Sequence, residues 1–312
     1  MALALTLGHG VLTGIGKRPS AGARLPDRRL VAADVRIDPR RMAAYAEVCG
    51  YGGGGTGAGA VGSGTGAVGS GAGAVGSGPP DVPLTYPHIL GFPLAARLMA
   101  ARDFPLPLAG LIHTGIDIRA STSLSAADRP ELAVHAEELR AHRRGTEVVV
   151  VTRARLDGEV VWTDRSTYLA RHGANPAPGA PTRDARAGET QTGDARAGDA
   201  RAGDAETGEP LPVVASWRLP GDLGRRHARV SGDYNPIHLY PLTARLFGYR
   251  RPIAHGMWLV ARCAAEGGAT RAISAEFRRP VRLPSHVSYA SDGSTFELRS
   301  EQGAVHLHGT LT

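Results

Sequence analysis

Residues 231–238 read SGDYNPIH, and seventeen positions beyond His238 the chain places His255 in PIAHGM. An acid, an amide and two imidazoles crowded among Gly and Pro suit proton handling better than they suit packing. Asp233 and His238 are five apart, a spacing that no single helix face accommodates. Asn235-Pro236 between them forces an extended or turning backbone, because proline disfavours the α region in the residue before it. Such a loop can turn both side chains toward one point. An imidazole is partly unprotonated near neutral pH and can act as a base. A partly desolvated carboxyl group can hold a proton and deliver it. The plainer alternative is that Asp233 makes an Asx turn, Asn235 caps and His238 fills a gap; the density of these residues, with PIAHG nearby, favours chemistry.

PIAHGMW supplies a complementary part. A helix beginning near His255 has first amides without internal partners. Gly256 has no side chain to obstruct approach, so its N–H can face a carbonyl oxygen, and the positive helix end stabilises charge that develops there. His255 either holds the loop together or donates to substrate, and the structural role is the expectation. His227, His238 and His255 are irregularly spaced, and no run of Cys, Asp or Glu completes a zinc set. No metal and no cofactor is expected.

The elements that must position these groups follow from pattern. Residues 39–50, PRRMAAYAEVCG, have apolar positions at helical spacing and stop at Gly50. Residues 92–103 read as a second short amphipathic helix, and GMWLVARCAAE as a third, with Met257, Val260, Ala261 and Ala264 as its buried stripe. Strands are expected in LIHTGIDIRAST, ELAVHAEELR, TEVVVVTRARL and EVVWTDRSTYLAR, the last two joined by a hairpin at Asp157-Gly158. Further strands are expected in TRAISAEFRR, HVSYAS, TFELRS and AVHLHGTLT. The order of elements repeats, so two modules are expected, about 1–172 and 211–312. Each is a helix wrapped by antiparallel strands, an α+β class, and pairing the two closes their open faces.

Two biased tracts separate these parts. Residues 52–80 contain GAVGSG starting at 59, 66 and 73. They have almost nothing to pack and are expected to be a flexible insertion. Residues 173–210 carry DARAG at 184, 194 and 199, without an apolar stripe, and are expected to be a solvated linker. The chain has 312 residues, 36 basic and 29 acidic, for a net charge of +7. This mild, scattered excess argues against a nucleic-acid groove and leaves room for an anionic small substrate. Cys49 and Cys263 form no CxxC pair, which fits a reducing compartment. The apolar N-terminus lacks a basic lead and a small-residue cleavage site, and no eighteen-residue apolar run exists. A cytoplasmic protein without a transmembrane segment is expected.

The run SGDYNPIHLYPLTARLFGYRRPIAHGMW closely resembles the hydratase 2 motif of MaoC-like dehydratases, which have the hot-dog fold. The resemblance implies (R)-specific hydration of trans-2-enoyl thioesters, or the reverse dehydration of (3R)-hydroxyacyl thioesters, carried on CoA or acyl carrier protein. It implies that Asp233 and His238 are the catalytic pair, that Asn235 braces the loop, and that Gly256 donates its N–H to the thioester oxygen. YPHILGFPLAARLM and FPLPLAGLIH resemble the first half of actinobacterial double-hot-dog dehydratases. There AYAEVCGY parallels HARVSGDY with Cys49-Gly50 on Ser231-Gly232, so Tyr51 stands where the catalytic Asp would be. That half is expected to be catalytically silent and to form a tunnel for the acyl chain. His227 departs from a frequent Tyr, and Tyr240 from a frequent acid. Arg225, Arg226 and Arg250 are candidates for meeting carrier phosphates. Two internal hot dogs imply either a monomeric pseudo-dimer or a further homodimer. The alternatives are a non-catalytic hot-dog subunit that binds acyl thioesters, and a thioesterase, which would need an acid on the central helix before Glu266.

Overall fold

A computed structural model describes residue 17 and residues 22–52, 81–108, 110–171 and 210–312. Apart from Gly52 and Pro210, the two biased tracts lie outside the described residues. Strand β1 is Leu30–Ala32 and helix α1 is Pro39–Cys49. Helix α2 is Tyr86–Ala100, followed by strands β2 (Leu111–Ala120), β3 (Glu131–His142), β4 (Gly145–Leu156) and β5 (Glu159–Arg171). The second half repeats this order with β6 (Val213–Leu219), α3 (Leu223–Ser231), a 3₁₀ turn (Pro236–His238), α4 (Pro241–Arg245) and α5 (Gly256–Glu266). Strands β7 (Ala272–Phe277), β8 (Ser285–Ser291), β9 (Thr295–Ser300) and β10 (Val305–Leu311) complete it.

All ten strands form one antiparallel sheet in the order β1-β3-β4-β5-β2-β7-β10-β9-β8-β6. Replacing each strand of the first half by its counterpart in the second reverses this order onto itself. An approximate two-fold axis therefore passes between β2 and β7, where Ile116 pairs with Ala275 and Ile118 with Ile273. Asp157 and Gly158 both have positive φ, at 50° and 88°, as the tight β4–β5 hairpin turn requires.

The helices lie on one face of this sheet. Helix α1 starts at Asp38, whose carboxylate accepts from the Arg40 and Arg41 amides, and ends on Gly50 in the left-handed region. Its counterpart α3 ends the same way, on Gly232 at φ 83°. Helix α2 begins six residues before the expected 92–103 segment and runs through Pro93. Pro93 resembles a helix start, but Pro87 already serves as one, and the interior proline removes a single intrahelical bond. Helix α5 buries the expected Met257, Val260, Ala261 and Ala264, and also Trp258, Leu259 and Cys263. It is apolar almost all round because it is enclosed; each large side chain so buried contributes about 2 kcal/mol.

Contacts from the first half fix this helix. Trp258 donates its indole N–H to the Val48 carbonyl at 2.8 Å, and Arg262 reaches Gly50 O at 3.5 Å. Among the described residues, no helix is long and apolar enough to cross a membrane.

Candidate active site

The loop that carries Asp233 and His238 begins where α3 stops. Gly232 turns the chain out of the helix, and Arg41 of α1 secures the stop from the other half of the protein. Its guanidinium donates to Val230 O at 2.8 Å and to Ser231 O at 2.9 Å. Cations at a helix C-terminus satisfy carbonyls that the helix leaves open. The Asp233 amide then donates to Ser231 Oγ at 3.1 Å, and Asp233 Oδ1 accepts from the Asn235 amide at 3.0 Å. Asn235 Oδ1 accepts in turn from the Ile237 amide at 3.4 Å. The Asx turn and the cap are thus both present, and they are what bends the loop. They engage one carboxylate oxygen and leave Oδ2 for the interior.

His238 is 8% exposed and His255 2%. His238 donates Nδ1–H to the Ile253 carbonyl at 2.8 Å, which fixes the tautomer and leaves Nε2 as the basic nitrogen. His255 donates Nε2–H to the Asp233 carbonyl at 3.0 Å and lies 3.8 Å from its Oδ2. The two rings stack with centroids 3.8 Å apart. His255 therefore ties the loop to the start of α5, the structural role expected of it. Asp233, His238 and His255 offer ligand-type atoms within 4.8 Å of one another, so an acid does join two of the histidines, contrary to the expectation from spacing alone. Two of the four ring nitrogens are already committed to main-chain carbonyls.

His227 stands behind this group, 4.6 Å from His255 and 6.1 Å from Tyr45, with neither ring nitrogen hydrogen-bonded. Gly256 opens α5, and no side chain caps that end. A Cβ at 256 would stand 2.9 Å from the tip of the Phe277 ring, so any larger residue there would have to push that ring aside. Tyr51, at the position parallel to Asp233, shares Thr85 Oγ1 with Tyr45 at 2.9 Å and has its pKa raised by burial. Arg225 is engaged locally: it donates to Leu239 O at 3.1 Å and lies over the Tyr240 ring. Of the proposed phosphate contacts, Arg226 and Arg250 remain exposed.

Two surface depressions lie away from the loop. One is lined by Leu84, Thr122 and Trp162; the other, of about 190 Å³, lies on the outer face of the sheet beside Arg140 and Arg165.

Burial holds the imidazoles neutral. It pushes His238 down to about 3 and His255 to about 4, with His227 well below its ordinary value. His238 is also depressed by His255, and partly restored by Asp233 and Ile253. In the unfolded chain these groups titrate near 6.5, so below that pH the unfolded state binds more protons. Their contribution to stability is complete above pH 6.5 and is lost as pH falls toward their folded values. At pH 5 each costs at most about 2 kcal/mol. Melting temperature should fall steadily from pH 7 to pH 5, with proton uptake on unfolding; a flat profile would show that these rings are not held neutral.

Residues 206–301 match the MaoC like domain family. Over 297 residues the chain is 31% identical to 3-hydroxyacyl-thioester dehydratase X of Mycobacterium tuberculosis, covering 92% of this chain and 90% of that protein. The crystal structure of HtdX from that organism aligns with a TM-score of 0.66 at 29% identity, over 91% of this chain and 98% of that one. A MaoC-like dehydratase from Phytophthora capsici, 14% identical, shares the fold with a TM-score of 0.61 over 95% and 98% of the two chains. With its α+β double hot-dog architecture and its Asp/His cluster, the chain belongs to the MaoC-like dehydratase family and is a hydro-lyase.

Proposed function

We propose that this protein is an (R)-specific enoyl-thioester hydratase, or in reverse a (3R)-hydroxyacyl-thioester dehydratase, acting on a CoA or acyl-carrier-protein thioester. Residues 211–312 form its catalytic module and residues 1–172 a catalytically silent one, with Tyr51 in place of an acid. In hydration, His238 Nε2 and the Asp233 carboxylate orient a water and take its proton as its oxygen bonds to C3. The electron pair of the double bond moves to form an enolate, whose oxygen accepts from the Gly256 N–H. A proton relayed through Asp233 reaches C2 on the same face. Dehydration retraces these steps, and the thioester carrier is substrate throughout. Arg226 and Arg250 are the exposed cations available to carrier phosphates. The two free, buried cysteines fit a cytoplasmic setting.

The observation that carries this reading is the convergence of a carboxylate and a singly committed imidazole beside an uncapped helix N-terminus. Preorganised donors of this kind supply a large share of catalysis at developing oxyanions. The test follows the enoyl-thioester absorbance band with enoyl-CoAs from C4 to C16, alongside a free-thiol assay. Loss of absorbance without thiol release is the expected result. Thiol release at the same rate would make the protein a thioesterase, and no absorbance change with any chain would refute the reading.

A further inference from the structure

Beside its apolar core, the first half carries a row of buried polar side chains. Along the inner face of β5, Asp164, Ser166 and Tyr168 alternate in register, and all three are buried. Asp164 is hydrogen-bonded to His88 Nδ1 of α2 and accepts from Ser166 Oγ at 2.8 Å. Opposite Tyr168 in the sheet, His113 of β2 stacks on its ring at 4.7 Å and lies 6.3 Å from His88.

This polar wall reaches the catalytic loop. Phe277 connects the two, its ring against Gly256 on one side and 5.1 Å from His113 on the other. Burial first, and then the Asp164 and Asp233 carboxylates, raise the Tyr168 phenol above its ordinary pKa. A silent half kept only for an alkyl chain has no use for a buried acid, two imidazoles and a phenol facing the other half's site, since each must be desolvated.

The wall is also incompletely satisfied. His113 Nε2 is shut off from solvent and has no partner, although the Gly115 main chain engages the same ring. Buried polar atoms are nearly always hydrogen-bonded in folded proteins, so an orphan of this kind asks for a ligand group. His113 lies one aromatic ring beyond Gly256, within reach of a chain held at that helix start.

We propose that His113, with His88, Asp164 and Tyr168, forms a subsite for an oxygen substituent on the acyl chain, so that the preferred substrates are oxygenated acyl thioesters. This rests on the reading of Asp233, His238 and Gly256 given above. With its other ring nitrogen donating to the Gly115 main chain, Nε2 of the neutral ring is an acceptor, so a hydroxyl several carbons beyond the thioester would donate the hydrogen bond that a saturated chain leaves unmade. Sites built to bond a substrate oxygen discriminate strongly against chains that lack it.

The experiment compares kcat/KM for trans-2-octenoyl-CoA with that for analogues hydroxylated at successive carbons beyond C4. At least one hydroxylated chain should be preferred by about tenfold or more. His113→Leu, which keeps bulk and removes the nitrogen, should abolish that preference mainly through KM. It should change the ratio of octenoyl-CoA to crotonyl-CoA less than about twofold, and His113→Asn should restore part of the preference. An unmodified protein that handles the plain chain as well as every hydroxylated one refutes the subsite, without needing any variant to fold. A preference that survives His113→Leu refutes the assignment to this wall. Failure to hydrate even crotonyl-CoA would instead count against the catalytic reading itself.

Discussion

Asp233→Asn should lower hydration of crotonyl-CoA by roughly a thousandfold, the range expected when a positioned proton-transfer group is lost. The variant is informative because the fold has little reason to notice it. An amide oxygen at Oδ1 can still accept from the Asn235 amide, so the Asx turn survives. The Asp233 main-chain carbonyl still accepts from His255. What disappears is a carboxylate beside the neutral His238 ring. The expected result is an unchanged circular dichroism spectrum and melting temperature with turnover nearly gone. A variant that keeps the parent rate would remove Asp233 from the reaction.

Gly224→Ala should be nearly as damaging, though residue 224 touches no substrate. Gly224 is the second residue of α3, and a Cβ there would stand 1.9 Å from the carbonyl oxygen of His238 and 2.9 Å from its carbonyl carbon. The obstruction is main chain, so no rotamer change relieves it. Either α3 or the 3₁₀ turn carrying His238 must move, and a displacement of about 1 Å at a reacting group can cost a hundredfold in rate. Overpacking of this kind also costs about 1–3 kcal/mol of stability. We expect kcat to fall about a hundredfold or more, with a lowered melting temperature. Arg229→Ala, an exposed change on the same helix, should leave both within error. Parent-like kcat in Gly224→Ala would mean that the position of His238 matters little.

The parts of this site that were legible in the sequence are those that lie close together along it. Asp233, Asn235 and His238 share one bend dictated by Pro236, and Gly256 opens the helix that follows. The strands were legible through their β-branched runs and the Asp-Gly hairpin. Less visible were elements whose reason lies elsewhere in the fold. Strand β1 is three residues long and exists because it pairs with β3. The start of α2 was obscured by two prolines, only one of which begins the helix. Arg41 holds the end of α3 from 189 positions away, and nothing in its local sequence separates it from Arg40. Nothing in the sequence around Gly224 marks it out until the backbone of His238 is laid against it. His113 and Tyr168 sit in unremarkable strand sequence, and only the two-fold sheet brings them to Phe277.

Product stereochemistry tests the central claim most directly. A trans-2-enoyl-CoA hydrated in heavy water should yield only the (3R)-hydroxyacyl product, with one deuterium at C2 on the face that received the oxygen. Both bonds would then have been made from the single side where Asp233 and His238 stand. A (3S) or racemic product, or deuterium on the opposite face, would contradict the account.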